Sequence, residues 1–308
     1  MSNQLKMEHH LSQSEAPFLE EVLRYSDHPL KAFHTPGHKA GLGLEQEWLR
    51  PGLWAQIDLS EIGALDWERA LIKAQKLAAE FYQADQSFFL VQGASQGILA
   101  VILGAFAPGD KVLVARNCHS SVIHAIVLAD LLPIYLELEF LDDWGLPVGI
   151  RERSLQQALM ANPDCKGVIL TNPTYQGVAE PLSHYRELIG ERLLIVDEAH
   201  GGYLGWSGLD GLDAYRFADA WVQGTHKMLG SLTQTGMLHL RGNRIDRVRI
   251  NNSLELITTT SPSYILLASL DSKRRFLATT GTELFRKNIE MVMALKKNIA
   301  EPEQTQER

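Results

Sequence analysis

A chain of 308 residues with 45% hydrophobic and 21% charged residues has room for one large α/β domain or two smaller ones, and its composition is that of an ordinary globular protein. The formal charge of −8 argues against a nucleic-acid surface, which concentrates Lys and Arg. Two cysteines, Cys118 and Cys165, give neither a disulfide framework nor zinc-ligand spacing and fit a reducing, cytoplasmic compartment.

The opening MSNQLKMEHHLSQSEAP lacks a basic start followed by an apolar core, and every apolar run is interrupted before the roughly eighteen residues of a membrane helix. The expectation is a soluble, unprocessed chain that binds no membrane. Residues 14–30 read as an amphipathic helix, after which FHTPGHKAGLG (33–43) breaks periodicity with Pro36 and three glycines, as a connector or a site. DWERALIKAQKLAAEFYQA (66–84) has helical spacing and an acidic first turn.

Strands and helices then alternate. SFFLVQG (87–93) leads to a helix over 95–107, KVLVAR (111–116) to one over 120–130, and PIYLELEF (133–140) reads as a further strand. A helix near 153–161 precedes GVILTNP (167–173), and one near 182–190 precedes RLLIVDEAH (192–200), DAWVQGTHK (219–227) and GMLHLRG (236–242). This pattern predicts an α/β fold with a mostly parallel sheet covered on both faces by helices. Residues 253–270 are apolar and rich in Thr and Ser, 281–300 has helical periodicity, and EPEQTQER reads as a solvated tail.

In such sheets ligands bind beyond the carboxyl ends of the strands. There the chain places QGASQG, whose Gly93, Ala94 and Ser95 let backbone N–H groups approach an anion at a helix start. It also places His119 in ARNCHSS, Asn172, Thr174 and Tyr175 in TNPTYQG, Asp197 and His200 in VDEAHGG, and Thr225, His226 and Lys227 in QGTHK. Each has a plain alternative: a helix cap, a capping histidine beside Ser120 or Ser121, an Asn-Pro turn, a solvated lysine. The ordered set is more specific than any member. A lysine and an aspartate at one sheet edge supply what pyridoxal phosphate requires, an amine for a Schiff base and a carboxylate for the ring nitrogen. The letters DEAH also occur in nucleotide hydrolases, but the chain has no Gly-Lys dipeptide and therefore no phosphate loop of that kind. His34 and His38 do not form a metal pair, because Pro36 and Gly37 between them preclude a shared helix face.

FHTPGHKAG, QGASQG, RNCHSS, NPTYQG, VDEAHGG, THK and TTTSP occur in the order found in the pyridoxal-phosphate-dependent Orn/Lys/Arg decarboxylases, which the chain resembles over residues 30 to 270. The resemblance implies the aspartate-aminotransferase-like fold (fold type I). It implies Lys227 as the Schiff-base lysine, Asp197 as partner of the pyridinium nitrogen and His119 as the ring stacked on the cofactor. Gly93, Ala94 and Ser95 would form the phosphate loop with Thr225 and His226, and Ala199 and His200 would lie beside the ring. Thr259 resembles a threonine that reaches the phosphate of a neighbouring subunit, which implies a homodimer.

The implied activity is decarboxylation of arginine, lysine or ornithine to the amine and CO2, with a lean to arginine and a place in polyamine biosynthesis. His119 or Lys227 would return the Cα proton. Two positions depart from the family: Ala94 stands where relatives often have Thr and Gly224 where many have Ser, so weaker cofactor affinity is expected. The expected organisation is an N-terminal segment (1–65), a cofactor-binding domain (66–275) and a C-terminal helix and tail (276–308), short of the family's C-terminal domain. An aminotransferase or β-eliminating lyase, and a non-catalytic partner that binds the cofactor or dimerises with longer relatives, are the alternatives.

Overall fold

The structure is a computed structural model that describes residues 35–59, 66–141, 143–206, 208, 209 and 211–300. The helix expected over 14–30, His34 and the tail EPEQTQER lie outside these residues. The described residues belong to one unit that begins at Thr35.

In chain order come α1 (Trp67–Phe81), β1 (Gln86–Leu90), α2 (Gly93–Ala105), β2 (Lys111–Ala115), α3 (Ser120–Leu128), β3 (Leu132–Leu136), β4 (Leu138–Leu141) and β5 (Leu146–Ile150). They are followed by α4 (Glu152–Ala161), β6 (Gly167–Thr171), α5 (Leu182–Ile189), β7 (Leu193–Asp197), β8 (Ala220–Gln223) and α6 (Thr225–Met228). β9 (Gly236–Leu240), α7 (Arg247–Ile257), α8 (Tyr264–Phe276) and α9 (Thr282–Ala300) complete the order.

Seven strands form one sheet in the order β1-β9-β8-β7-β6-β2-β3. β9 is antiparallel to both neighbours, β1 and β8, so the other six all point the same way. The strands are short apolar runs whose alternate residues enter opposite cores, as a period of two requires. Leu113, Leu170, Val196 and Trp221 face one core. Val112, Val114, Ile169 and Ile195 face the other. Each such buried side chain contributes roughly 1.5–3 kcal/mol.

α2 is apolar all round because it is covered on two sides. A Cβ on Gly97 would come within 2.7 Å of Leu90 and Val222, and one on Gly104 within 2.5 Å of Ile250. Both glycines let the helix lie close against the sheet and α7. The expected strand over 133–140 divides after Leu136. β3 stays on the edge of the large sheet, while β4 leaves it to pair antiparallel with β5, with an irregular register at Glu139 and Phe140. The expected boundary at residues 275 and 276 falls at the end of α8, whose helical path continues through a wide turn (Leu277–Gly281) into α9.

Residues 37–48 pack onto the sheet unit rather than standing apart. Trp48 Nε1 donates to Ser272 Oγ at 3.1 Å, and Lys273 Nζ donates to the Gly43 carbonyl at 3.0 Å. Lys273 also forms a buried ion pair with Glu45 at 2.8 Å. Among the described residues no helix is long and apolar enough to cross a membrane.

Candidate active site

The C-terminal ends of β1, β2, β6, β7 and β8 open on one edge of the sheet. β7, the most apolar strand, delivers Asp197, in register with Thr171 on β6 and Val222 on β8. Asp197 is buried, and its side chain's one hydrogen bond among the described residues is accepted at Oδ1 from the Ala199 N–H at 3.1 Å. Burial pushes its pKa up, against the opposing effects of that N–H and of the charges of Lys227 and His119. A buried carboxylate with one neutral donor lacks compensation for its charge.

Lys227 lies in α6, the single turn that follows β8, and not on the strand itself. Its Nζ is 3.1 Å from His200 Nε2. Burial holds the Lys227 amine below the usual lysine range, with Asp197 opposing. Burial pushes His200 down to about 4, with further lowering from Lys227, His226 and His119. His200 is therefore neutral near pH 7 and meets Lys227 as a neutral ring. Gly224 gives the lysine room: a Cβ there would lie 3.0 Å from the Ala199 carbonyl and 3.1 Å from Lys227 Cδ.

His226 Nδ1 is held by the Thr235 carbonyl at 2.8 Å, which leaves Nε2 for another partner. Burial lowers its pKa first of all, the Thr235 carbonyl opposing and Lys227 adding. Thr225 is fully buried, and its hydroxyl donates to Thr235 Oγ1 at 3.0 Å within a cluster that includes Ser231 Oγ. In this arrangement the Thr225 hydroxyl faces inward, because it begins a one-turn helix that must be tied to the loop ahead of β9.

α2 starts at Gly93, whose φ of +74° suits glycine; the side chain of the N-cap residue Gln92 makes no capping bond, the Gln92 N–H donates to Gln96 Oε1 and the Gly93 N–H to the Gln234 carbonyl. Ala94 and Ser95 occupy its first turn, where helical N–H groups have no partner within the helix. Gly236 lets β9 come close: a Cβ there would lie 3.1 Å from the Ala94 nitrogen. His119 caps α3 by accepting from the Ser121 N–H at 3.2 Å, so the capping arrangement is present, and its ring stands exposed at the same edge. Its charge acts on both Asp197 and His200.

Thr259 is exposed and accepts from the Ser261 N–H at 3.3 Å. Its neighbour Thr258 accepts from Gln96 Nε2 at 2.5 Å, while Gln96 Oε1 accepts from the Gln92 N–H at 3.1 Å. The 258–260 segment is thereby tied to the start of α2. It also lines an apolar groove with Trp67, Phe89 and Leu254.

Two parts of the site were offered by the sequence without a stated contact: the 33–43 loop as a connector or a site, and Tyr175 as a residue at the sheet edge. The loop at 37–43 reaches the lysine turn: the Gly37 N–H donates to the His226 carbonyl at 2.9 Å, and a Cβ on Gly37 would lie 2.9 Å from the Lys227 carbonyl. Tyr175, on a turn closed by Thr174 and Val178, packs edge-on against His200 with ring centroids 5.4 Å apart. Three glycines in one short loop signalled a close approach, but not its target. Asn172 turns inward and fastens this loop through Glu180 and the Leu212 carbonyl. His38, one of the two histidines of the 33–43 loop, accepts from the Gly41 N–H at 3.0 Å, and the described residues hold no cluster of three or more metal-ligating side chains.

A family model described as "Orn/Lys/Arg decarboxylase, major domain" matches residues 16–307. The arginine decarboxylase of Halalkalibacterium halodurans is 38% identical over 289 residues, covering 91% of this chain and 59% of the relative. The chain thus spans about three fifths of the length of such curated relatives. Among solved structures, lysine decarboxylase A from Pseudomonas aeruginosa superposes with a TM-score of 0.73 at 25% identity, covering 95% of this chain and 44% of that one. An L-threonine transaldolase from Pseudomonas fluorescens, solved in its internal aldimine state, shares the fold at a TM-score of 0.54 and 18% identity, over 74% of this chain and 52% of that one.

Proposed function

Because the chain belongs to the Orn/Lys/Arg decarboxylase family, we propose that it binds pyridoxal 5'-phosphate at this sheet edge and serves the decarboxylation of a basic amino acid, arginine before lysine or ornithine. The arginine preference follows the identities: 38% to an arginine decarboxylase against 25% to a lysine decarboxylase.

The observation that carries the reading is Asp197, a buried carboxylate with one backbone donor, facing the same edge as an amine whose pKa burial has lowered. The residues present fit the cofactor. A protonated ring nitrogen would give Asp197 both the charge and the donor that it lacks. The first turn of α2, with the N–H groups of Ala94 and Ser95, would receive the phosphate, and His226 Nε2 and the α6 turn with Thr225 are its further candidate partners. When bound, pyridoxal phosphate supplies an electron sink for the pair released from the bond to the departing carboxylate.

The chain's own groups do the rest. Lys227 is shifted toward its neutral, nucleophilic form, and neutral His200 holds it in place. The exposed His119 ring offers a face for a planar group, and His119 or Lys227 can deliver a proton to the substrate carbon. Asp197, in its buried position, would hold a proton on the ring nitrogen. Thr259, on the outer face beside α2, is the residue that a second copy would contribute, so the working unit is a homodimer. Residues 66–275 form the cofactor-binding domain, to which the 37–48 loop adds its contact with the lysine turn. Absorbance titration with pyridoxal phosphate, followed by assay of CO2 from arginine, lysine and ornithine, tests the reading. A visible band with CO2 from one of the three is the expected result, and a colourless protein at saturating cofactor would end it.

A further inference from the structure

A line of buried polar side chains crosses the sheet beneath the site. Ser87 Oγ on β1 is 2.7 Å from His239 Nδ1 on β9, and His239 Nε2 is 3.3 Å from Gln223 Oε1 on β8. Gln223 Nε2 donates to Glu198 Oε2 at 2.7 Å, and the Ala214 N–H donates to Glu198 Oε1 at 3.1 Å. All four side chains are at most 3% exposed. The donors run one way. Because the Gln223 amide gives its N–H to Glu198, its oxygen accepts from His239 Nε2–H, and His239 Nδ1 accepts from the Ser87 hydroxyl. Glu198 is the terminal acceptor.

Glu198 also follows Asp197 directly, and Gln223 closes the strand from which the lysine turn departs. The backbone joins the same two turns: the Glu198 N–H donates to the Val222 carbonyl at 2.9 Å, the Gly224 N–H to the Ala199 carbonyl at 3.2 Å, and the Lys227 N–H to the Gly224 carbonyl at 2.9 Å. We propose that Glu198 is a positioning residue of the site: through Gln223 and the Ala214 N–H, its carboxyl fixes the spacing between the turn that carries Asp197 and the turn that carries Lys227. The proposal rests on the pyridoxal-phosphate reading of the site. Glu198 touches neither amine nor carboxylate of that site and acts through its neighbours.

The role demands a carboxyl: both of its oxygens accept, and an oxygen that carries a proton keeps a lone pair for the bond. An amide at 198 accepts at one atom only and turns a donor against either Ala214 or Gln223, which leaves a buried group unpaired. Exchanging the two side chains removes that conflict. With Glu198→Gln and Gln223→Glu together, residue 223 accepts from His239 and from the new amide, whose oxygen accepts from Ala214.

The test is a titration of the full chain with pyridoxal phosphate, read by the visible band, for wild type, Glu198→Gln, Gln223→Glu and the double exchange. Each single variant is expected to bind the cofactor at least about tenfold more weakly, and the double exchange to return within about threefold of wild type. The pH midpoint of the visible band should move by about half a unit or more in Glu198→Gln and return in the exchange. Leu155→Ala, remote from the site, controls for lost stability alone and should leave that midpoint in place. Wild-type affinity and midpoint in a folded Glu198→Gln protein would overturn the proposal, as would a folded double exchange that stays weak. Should both single variants fail to fold, the exchange alone decides. A wild-type chain that does not bind the cofactor at all would refute the underlying reading instead.

Discussion

Lys227 Nζ and His200 Nε2 meet at 3.1 Å, and the histidine is neutral near pH 7, since burial pushes it down to about 4. A neutral ring beside a half-buried amine orients it without adding a full positive charge, which favours an amine that can act as a nucleophile. Lys227→Ala should therefore abolish the visible band formed with pyridoxal phosphate, while His200→Ala should keep the band with about three- to tenfold weaker affinity, both read by absorbance titration.

Asp197→Asn separates folding from chemistry. The carboxylate is buried with one donor, so its charge contributes little or negatively to the stability of the free protein. The melting temperature of the cofactor-free variant should hold or rise, whereas cofactor affinity should fall by at least about tenfold, or about 1.4 kcal/mol. A large loss of melting temperature with unchanged affinity would make Asp197 structural.

Gly37→Ala is expected to cost about 1–3 kcal/mol in urea unfolding, because its methyl group would lie 2.9 Å from the Lys227 carbonyl and 3.1 Å from the Gly230 nitrogen. Both atoms are backbone and give way only if the lysine turn moves. Cofactor affinity should fall along with stability. Gly41→Ala, whose added Cβ meets no heavy atom within 4 Å but sits at a φ of +95°, should cost stability through backbone strain and leave affinity unchanged.

Stability should depend on pH through two buried groups of opposite sign. His239 is held near a pKa of about 3 by burial, so the native state refuses a proton that the unfolded chain takes below about 6.5. Its contribution is full above about 6.5 and is lost as pH falls toward 3. Glu198 is pushed up to about 8 by burial and keeps a proton that the unfolded chain releases above 4.5, so its contribution declines as pH rises from 4.5 to 8. Urea unfolding at pH 7, 6 and 5 should show His239→Gln with a shallower acid loss than wild type, by at most about 1.4 kcal/mol per pH unit.

Tyr175→Ala should raise the KM for arginine by about threefold or more with little change in kcat, since the exposed ring stands at the site edge against His200 and offers a face to a guanidinium. Steady-state CO2 release checks it. An unchanged KM would confine Tyr175 to holding His200.

Much of this was legible in the residues. Apolar runs such as LLIVD and WVQ mark central strands because both their faces are covered, and a charged residue directly after such a run must lie at the sheet edge. Asp197 and Lys227 could be placed there without coordinates. Long-range pairing could not. Nothing in GMLHL indicates that β9 runs against its neighbours, and Leu146–Ile150 looks like a loop until β4 turns away to pair with it. Glu198, Gln223 and His239 carry polar side chains that read as solvent-facing, and only their mutual hydrogen bonds make burial tolerable. The hydroxyl of Thr225 points inward for a related reason, its partner Thr235 lying across a turn whose closure no local pattern announces.

The reversed strand β9 has one more effect. It sits between β1 and β8, so the loop that would hold an anion and the turn that bears the amine begin two strand spacings apart, about 9–10 Å. Since β9 runs the other way, its outgoing end lies at the far edge of the sheet, and at the near edge it presents Gly236, which has no side chain. The strand thus acts as a gauge block: it sets the width of the gap, and Gly236 lets the backbone at Ala94 and at Gln223 close in on either side of it. Changes in loop sequence can retune affinity on either side of that gap, but the distance a ligand must bridge is fixed by the backbone of the sheet.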